Sequence, residues 1–255
     1  MTRSPASILA PGPAGRILAL NIRAGGGGRV GRLLAFLEAH DPVTMVLSEW
    51  RENPAGQRIA DWARARGMHA AGLADGHSAN GILVASRQAF DPMSHTPRVS
   101  VSRVLMQARF PTWRLLAVYF PSVRGKSDFF DGCMALAKRH ARTPFLLIGD
   151  MNTGNQTADR EPAGMRYHSA DAFDRLGAEA RLTDLWRHSH GAEAQDWSWL
   201  SHRQNGFRID HAFANRAFLR AGTPRCRYDH APRAQGWSDH SALIVEPDGT
   251  SPIAR

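Results

Sequence analysis

The sequence is poor in several residue types, and each shortage narrows what the protein can be. It has two cysteines, Cys133 and Cys226, which form neither a CxxC pair nor a disulfide framework. No apolar run approaches the ~20 residues that a membrane-spanning helix needs. No continuous apolar segment stands between Arg3 and Pro11, so a secretory signal is not indicated. We therefore expect reduced thiols, no membrane span and a cytoplasmic protein.

Lysine is also scarce, although the chain is strongly basic. The only lysines are Lys126 and Lys138, so arginine supplies nearly all of the 32 basic side chains, which exceed the 23 acidic ones. The resulting net charge of +9 favours a polyanionic partner such as nucleic acid. The alternative is a bias in composition that produces much of this charge, because the arginines are scattered rather than clustered. The charge supports a phosphate-bearing substrate without proving one.

The order of apolar segments predicts a layered fold. We expect one domain over residues 16–247, between a frayed N-terminus at residues 1–15 and a C-terminal tail at residues 248–255. Strand-like segments, including an alternating one at residues 207–213, outnumber helical segments, and several adjoin without a helix between them. This order argues against a doubly wound parallel sheet and predicts two packed sheets with helices outside.

One segment stands out as a candidate site. The apolar run at residues 145–148 is followed by Gly149, Asp150, Met151 and Asn152, as expected of a buried strand that ends at its carboxyl edge. A carboxylate in this place can accept a proton from water, and an amide can orient that water. The alternative is a turn, because Asp and Asn favour turns through local hydrogen bonds.

The four glycines at residues 25–28 suggest a phosphate-binding loop, but the context does not match. No Gly-Lys-Ser or Gly-Lys-Thr follows them, and the GxGxxG match is loose. A mobile loop is the better interpretation. A zinc hydrolase is disfavoured for a similar reason, because the sequence contains no HExxH motif despite its twelve histidines.

Further polar residues stand in or just after other predicted strands. Each has a structural alternative, such as a solvated charge, an ion pair, a cap or a core hydroxyl with a satisfied hydrogen bond. Together they meet the needs of phosphodiester hydrolysis, which requires oxygen ligands for Mg²⁺, a base for water and a donor to phosphate. These residues are Asn21, Glu49, Tyr119, Asp210, Asp239 and His240.

The residue types suggest roles for this set. Glu49, Asp239 and Asn21 supply oxygen ligands for a hard divalent cation. Asp150 with Asn152 supplies the base. His240 can donate to phosphate, and a carboxylate such as that of Asp210 would hold its tautomer and raise its pKa.

At this point the sequence resembles a known family, the endonuclease/exonuclease/phosphatase superfamily. The motifs that carry the resemblance occur in the family's order and span residues 20–241. They are Leu20-Asn21-Ile22, Ser48-Glu49, Val118-Tyr119-Phe120-Pro121, Gly149-Asp150-Met151-Asn152, Arg208-Ile209-Asp210 and Ser238-Asp239-His240-Ser241.

The resemblance implies a four-layer α/β sandwich, with two packed, mainly antiparallel β-sheets flanked by helices and the site at one edge of both sheets. It implies Mg²⁺ or Mn²⁺ at Glu49, with Asp239 and Asn21 nearby. It also implies that Asp150 activates the attacking water, that Asn152 orients this water, and that a His240–Asp210 pair lies at the scissile phosphate.

The Tyr-x-Pro sequence that begins at Tyr119 is similar to the exonuclease III and abasic-site endonuclease branch, since deoxyribonuclease I and sphingomyelinase relatives tend to carry His in place of this tyrosine. In that branch, residues at the positions of Trp199 and Phe207 wall the pocket for a baseless sugar, although both are equally suited to a core. Ser122 replaces the usual Asn and could donate to phosphate. The segments after Asn21 and around Glu49 also depart from the branch, so the substrate-contacting residues are altered.

The sequence therefore predicts a divalent-metal-dependent phosphodiester hydrolase, a DNA nuclease that acts as a monomer. Two alternatives stay open. A phosphoesterase of the same fold would act on a small or lipid phosphoester, and a screen of soluble phosphoesters would separate it. A non-catalytic nucleic-acid-binding module would bind in a salt-dependent way without turnover.

Overall fold

The computed structural model describes residues 13, 15–95, 104–122, 125–220 and 222–246. The predicted frayed ends therefore lie outside the described residues, except for positions 13 and 15. Two six-stranded sheets and a two-stranded ribbon make up the β-structure of the described part. This arrangement confirms the predicted pair of packed sheets with helices outside.

The first sheet has the spatial strand order β13-β14-β1-β2-β4-β3. Its strands are β1 (Ile17–Asn21), β2 (Thr44–Trp50), β3 (His69–Leu73), β4 (Gly81–Ser86), β13 (Arg225–Asp229) and β14 (Ala242–Glu246). Only β1 and β2 are parallel within it, and its other neighbouring strands are antiparallel.

The second sheet has the order β5-β6-β7-β8-β12-β9. Its strands are β5 (Asp91–Ser94), β6 (Val104–Arg109), β7 (Arg114–Tyr119), β8 (Phe145–Asp150), β9 (Thr183–Asp184) and β12 (Asp210–Ala214). Here β7 and β8 form the parallel pair, and the other pairs are antiparallel. The ribbon consists of β10 (Trp199–Leu200) and β11 (Gly206–Phe207).

Helices cover the outer faces of both sheets. Residues of α1 (Val30–His40) and α2 (Pro54–Ala65) share a core with the first sheet, and residues of α3 (Ser127–Arg139) and α4 (Ala170–Ala178) share one with the second. The shorter helices are α5 (Leu185–His190), α6 (Arg216–Leu219) and α7 (Ala231–Ala234). None of the described helices is long and apolar enough to cross a membrane.

Successive apolar side chains of the strands point to alternate faces of each sheet, and they form three separate cores. In β8, for example, Leu146 and Ile148 belong to the core between the sheets, while Phe145 and Leu147 belong to the core under α3 and α4. Successive side chains of a strand point to opposite faces, so an all-apolar strand must be buried on both sides. The apolar runs of the sequence therefore produce the four-layer sandwich.

Both cysteines are buried and free, as expected. Cys133 lies in the core under α3 and α4, and Cys226 lies between the sheets. Burial raises the pKa of each thiol. Neither thiol therefore has the low pKa that a reactive cysteine needs.

The strand registers bring the candidate residues to one edge of the sandwich. Asn21 pairs with Ser48 in the first sheet, one residue before Glu49. In the second sheet Asp150 pairs with Tyr119 on one side and with Asp210 on the other. The ends of five neighbouring strands therefore meet at this edge.

Gly149 lies immediately before Asp150 and cannot carry a side chain without strain. Its φ angle is +141°, and an ideal Cβ would lie 2.2 Å from the Val118 carbonyl oxygen. We predict that Gly149→Ala lowers the free energy of unfolding by at least about 2 kcal/mol, which urea denaturation would measure.

The matched control is Gly31→Ala, an exposed site in α1 where an added Cβ would meet nothing within 4 Å. Alanine favours helix over glycine, so this variant should be unchanged or more stable by up to ~1 kcal/mol. Equal unfolding midpoints for the two variants would contradict the argument.

Candidate active site

Asp150 is the centre of the candidate site. Its side chain is buried, with Oδ1 accepting a hydrogen bond from the Asn152 backbone N–H at 2.9 Å. Oδ2 accepts from the side-chain amides of Asn21 at 3.0 Å and Asn152 at 3.2 Å. Burial and the nearby Asp210 carboxylate raise the pKa of Asp150 to about 7, although His240 and the hydrogen bonds oppose this rise. A carboxylate with a pKa near neutrality is suited to general-base work.

Asn152 is held firmly in a left-handed backbone conformation, with a φ angle of 50°. Its side-chain amide donates to the Phe120 carbonyl at 2.9 Å as well as to Asp150. Its own carbonyl accepts a hydrogen bond from the ammonium of Lys126, which is buried. Burial lowers the pKa of Lys126 to about 8, against the effect of the Asp150 charge. Lys126 had no predicted role, because an isolated lysine belongs to no motif.

Glu49 lies beside this centre and is ordered by three donors. Its Oε1 accepts from the Asn21 amide at 3.2 Å and from the Tyr119 hydroxyl at 3.1 Å. Its Oε2 accepts from the Ala24 backbone N–H at 2.7 Å. Burial alone would raise the pKa of Glu49, but these hydrogen bonds and the charge of His240 outweigh it and lower the pKa. Glu49 is therefore an ionised carboxylate.

Asn21 connects the two carboxylates. One amide nitrogen donates to both Glu49 and Asp150, while Oδ1 accepts from the Arg23 backbone N–H at 2.9 Å. Asn21 is buried, and its carbonyl is held by the Ser238 hydroxyl at 2.5 Å. The structure thus shows Asn21 as a donor between carboxylates, while its role as a metal ligand stays a prediction.

His240 and Asp210 form a buried pair. The Nδ1 atom of His240 lies 2.8 Å from Oδ2 of Asp210. Burial would lower the pKa of His240, but the charge and hydrogen bond of Asp210, with the charges of Asp150 and Asp239, raise it to about 10. Because Nδ1 bonds Asp210, Nε2 is the imidazole atom that can donate to a substrate.

Two serines that had no predicted role fix this pair. Ser198 Oγ accepts from the Asp210 backbone N–H at 3.1 Å, and Ser238 Oγ accepts from the His240 backbone N–H at 3.0 Å. Ser238 begins one of the motifs already identified, and Ser198 directly precedes Trp199, so their neighbours in sequence were the available signal. Asp239 is half-buried next to them, and its charge acts on His240.

Asn80 also belongs to the site and has no motif around it. Its Nδ2 donates to the Tyr119 hydroxyl at 3.3 Å, and its Oδ1 accepts from Nε of Arg51 at 2.6 Å. Through Tyr119 this chain of hydrogen bonds reaches Glu49. Asn80 therefore orients the hydroxyl that holds the Glu49 carboxylate.

The three predicted substrate-binding residues lie in different environments. Trp199 is half-buried and forms a β-bridge with His240, which places it beside the site. Phe207 is buried, with its ring 5.6 Å from that of Trp199 and 5.7 Å from that of Tyr167. Ser122 is exposed shortly after β7. Their contacts with substrate stay predictions.

The donor set fits a divalent cation. Glu49, Asp150, Asp210 and Asp239 place four carboxyl groups in the site. Ligand atoms of Asp150, Asp210 and His240 lie within 4.8 Å of one another. The Nδ1 atom of His240 is already hydrogen-bonded to Asp210, which favours a proton-sharing pair there. Ionised Glu49 with neighbouring carboxylates is the better match for a hard, oxygen-preferring cation.

Comparisons with known proteins support the fold. No protein-family model matches the sequence, and no curated protein is significantly similar to it. Among solved structures, the 3′ phosphatase NExo from Neisseria, bound to a product DNA hairpin, has a TM-score of 0.79 and 22% identity over 92% of this chain and 100% of that one. An AP endonuclease from Archaeoglobus fulgidus has a TM-score of 0.78 and 18% identity over 91% and 99% of the two chains.

The AP endonuclease LMAP from Leishmania major is similar over 93% of this chain and 88% of its own, with a TM-score of 0.68 and 18% identity. At this level of identity the solved structures show the fold alone, which is the predicted four-layer α/β sandwich.

His211, next to Asp210, gives a prediction about stability. Its side chain is buried, and Nε2 bonds the Thr153 carbonyl at 2.9 Å. Burial and the charge of Arg208 lower the pKa of His211 from 6.5 to about 4. The unfolded chain therefore takes up a proton as the pH falls below 6.5, while the folded chain does not until about pH 4.

We predict that His211 removes about 3 kcal/mol of stability as the pH falls from 7 to 4. In His211→Gln, which keeps a donor for Thr153, the pH dependence of the urea midpoint should be weaker. The difference between the two pH profiles isolates this residue. Parallel profiles would show that His211 stays protonatable in the folded protein.

Proposed function

We propose that this protein is a divalent-metal-dependent phosphodiester hydrolase that acts on DNA. The observation that carries the proposal is the arrangement around Asp150. One amide, that of Asn21, joins its carboxylate to Glu49, and the hydrogen-bonded His240–Asp210 pair lies at the same edge. A buried base, an ionised carboxylate and an imidazole donor are the groups that phosphodiester hydrolysis needs.

Asp150 accepts the proton of the attacking water in this proposal. Its pKa of about 7 leaves a substantial fraction ionised at neutral pH. The amide of Asn152 fixes the carboxylate and, as the family resemblance implies, orients the water. Both groups are held by hydrogen bonds within the protein, so little reorganisation accompanies the reaction.

His240 donates from Nε2 to a phosphate oxygen, while Asp210 keeps the imidazole oriented and charged. The raised pKa of His240 means that this donor is an imidazolium at neutral pH. Tyr119 holds Glu49 through its hydroxyl. These roles account for the burial of the pair, since charge-assisted hydrogen bonds act most strongly away from water.

The metal would be held by Glu49 and Asp239, with Asn21 alongside. Mg²⁺ or Mn²⁺ there would neutralise charge on the phosphate and stabilise the leaving oxygen. The carboxyl groups and an incoming phosphodiester together carry more negative charge than the imidazolium of His240 can neutralise. A divalent cation would balance the remaining negative charge.

DNA is the proposed substrate for two reasons. The fold is shared with proteins described as AP endonucleases, a 3′-5′ exonuclease and a 3′ phosphatase, the last of them bound to a DNA hairpin. The net charge of +9 suits a polyanion. Trp199, Phe207 and Ser122 are the proposed substrate contacts of a monomeric enzyme.

A panel of substrates tests the proposal directly. Plain, nicked and abasic-site DNA would be incubated with the protein in Mg²⁺ and in EDTA, beside soluble phosphoesters. Cleavage of DNA that requires the metal is expected. Turnover of phosphoesters alone would identify a small-molecule phosphoesterase, and salt-dependent DNA binding without turnover would identify a binding module.

Asp150→Asn keeps the shape of the side chain and removes the base. We predict a loss of kcat of about 10²–10⁴-fold, the usual contribution of general-base catalysis. Asp171→Asn, at an exposed position in α4, is the matched control and should retain full activity. Equal activities would show that Asp150 is not the base.

Glu49→Gln keeps the size of the side chain but removes its negative charge. We predict a higher Mg²⁺ requirement, seen as a shift of the half-saturating Mg²⁺ concentration and partial rescue when more is added. Glu52→Gln, an exposed neighbour, should leave the titration unchanged. An unchanged titration for Glu49→Gln would remove Glu49 from the metal site.

A further inference from the structure

The segment that follows Asn21 has an unusual backbone. Five successive residues have positive φ angles: Arg23 (54°), Ala24 (51°), Gly25 (75°), Gly26 (77°) and Gly27 (48°). Glycine accepts this conformation readily, but Arg23 and Ala24 adopt it only with steric strain between Cβ and the backbone. Such strain persists only where surrounding contacts impose it, and it is common at functional sites.

Contacts with Glu49 impose this left-handed turn. The Ala24 N–H donates to Oε2 of Glu49 at 2.7 Å, and the Gly25 N–H donates to its backbone carbonyl at 2.8 Å. A further bond, from the Gly26 N–H to the Arg23 carbonyl at 3.1 Å, closes the turn. The segment that contains the glycine-rich loop therefore binds Glu49, a predicted metal ligand, through two backbone N–H groups.

After the turn, the chain folds back so that the Arg29 side chain lies beside the candidate site. Its Nη1 donates to the Trp237 carbonyl at 2.8 Å, and its Nη2 donates to the Arg23 carbonyl at 2.6 Å. Arg29 thus ties the glycine-rich loop to the segment that carries Asp239. Burial and the like charge of Arg23 lower the pKa of Arg29, and the nearby charges of Asp239 and Glu49 oppose this fall.

The anchoring of Arg29 differs from that of a simple ion pair. Among the described residues, no nitrogen–oxygen distance of 4.0 Å or less joins Arg29 to Glu49 or Asp239. Backbone carbonyls hold the guanidinium near two carboxylates without bringing them into contact. A guanidinium has five N–H donors, and the two carbonyl bonds leave others for an anion.

We propose that Arg29 is a substrate-binding residue that contacts a non-bridging oxygen of the phosphodiester. This inference rests on the proposed function. It adds to His240 a second cationic group, which directly follows the glycine-rich loop. A phosphate held between Arg29 and the predicted metal would also screen the two cations from each other. Arginine is well suited to this contact because its planar fork matches phosphate geometry.

Binding measurements test the proposal without relying on turnover. In the Asp150→Asn background, with EDTA present, the dissociation constant of a short DNA duplex would be measured at several salt concentrations. The additional substitution Arg29→Gln should weaken binding about 10- to 100-fold. It should also reduce the slope of log K against log salt by about 1, as expected when one phosphate contact is lost.

Arg32→Gln is the matched control, because Arg32 is exposed on α1 only three residues away and its replacement changes the net charge equally. It should change neither the affinity by more than about twofold nor the slope by as much as Arg29→Gln. Arg29→Lys keeps the charge but not the double carbonyl anchor, and it should restore much of the slope. Thermal unfolding of each variant would verify folding.

Three outcomes overturn the proposal. Equal effects of Arg29→Gln and Arg32→Gln would show a diffuse charge effect. A loss of stability in both Arg29 variants, with an unchanged salt slope in the folded fraction, would show a purely structural bridge. If the Asp150→Asn parent binds no DNA and the unsubstituted protein cleaves none, the proposed function itself fails, and that result is distinct from a failure confined to Arg29.

Discussion

The hydrogen bond from the Asn21 amide to the Asp150 carboxylate joins the two sheets of the sandwich, and the candidate site is arranged around it. Asn21 ends β1 in one sheet, and Asp150 ends β8 in the other. The same amide bonds Glu49, so one side chain sets the spacing of two carboxylates. Because both strands are buried on both faces, this spacing is fixed by the packing of three cores and not by a flexible loop.

Burying several carboxyl groups at one edge of the sandwich is energetically unfavourable, and hydrogen-bond donors in the protein offset this cost. Asp150 is buried and Glu49 is half-buried, yet their pKa values move in opposite directions. The Glu49 carboxylate accepts hydrogen bonds from Ala24, Asn21 and Tyr119, which stabilise its charged form. Asp150 also accepts three hydrogen bonds, but its burial and the like charge of Asp210 outweigh them and raise its pKa. Glu49 and Asp150, which lie 28 and 129 residues from Asn21 along the chain, thus acquire different pKa values from their surroundings.

Much of the fold could be predicted from the sequence because buried strands leave a strong apolar signal. The strands from Phe145 and from Thr44 and the helix from Val30 follow such patterns. The strands at His69–Leu73, Asp91–Ser94 and Arg225–Asp229 do not, since they lie at or near sheet edges and carry exposed or charged residues. Their pairing depends on neighbours distant in sequence, which local patterns do not encode.

The predicted strand at residues 207–213 shows a second limit. The structure divides it, because β11 ends at Phe207 and β12 begins at Asp210. Between them the Arg208 N–H bonds the Asp159 carbonyl, and the Ile209 N–H bonds Ser198 Oγ. The Arg208 side chain is buried against Asp159 and Asp184. Alternation in sequence predicted the extended backbone here, but the partners that interrupt the ladder come from distant segments.

The candidate site was predictable where chemistry clusters in motifs and not where it depends on single residues. Asp150, Asp210 and His240 were found in short segments, and the structure brings them together. Asn80 and Arg29 were missed, because nothing in their local sequence distinguishes them from surface residues. Only the fold shows that they lie next to Tyr119 and to the segment of Asp239.

Lys126 shows how composition itself carries information once the structure is known. The chain uses arginine for nearly every positive charge, yet a lysine occupies the buried position beneath the Asn152 carbonyl. A guanidinium there would bring five donors and a planar fork into a space that offers a backbone carbonyl and the nearby charge of Asp150. A compact ammonium on a flexible stem supplies the charge with fewer donors to satisfy. Lys126 therefore supplies a compact buried cation directly behind the residues that position the proposed base.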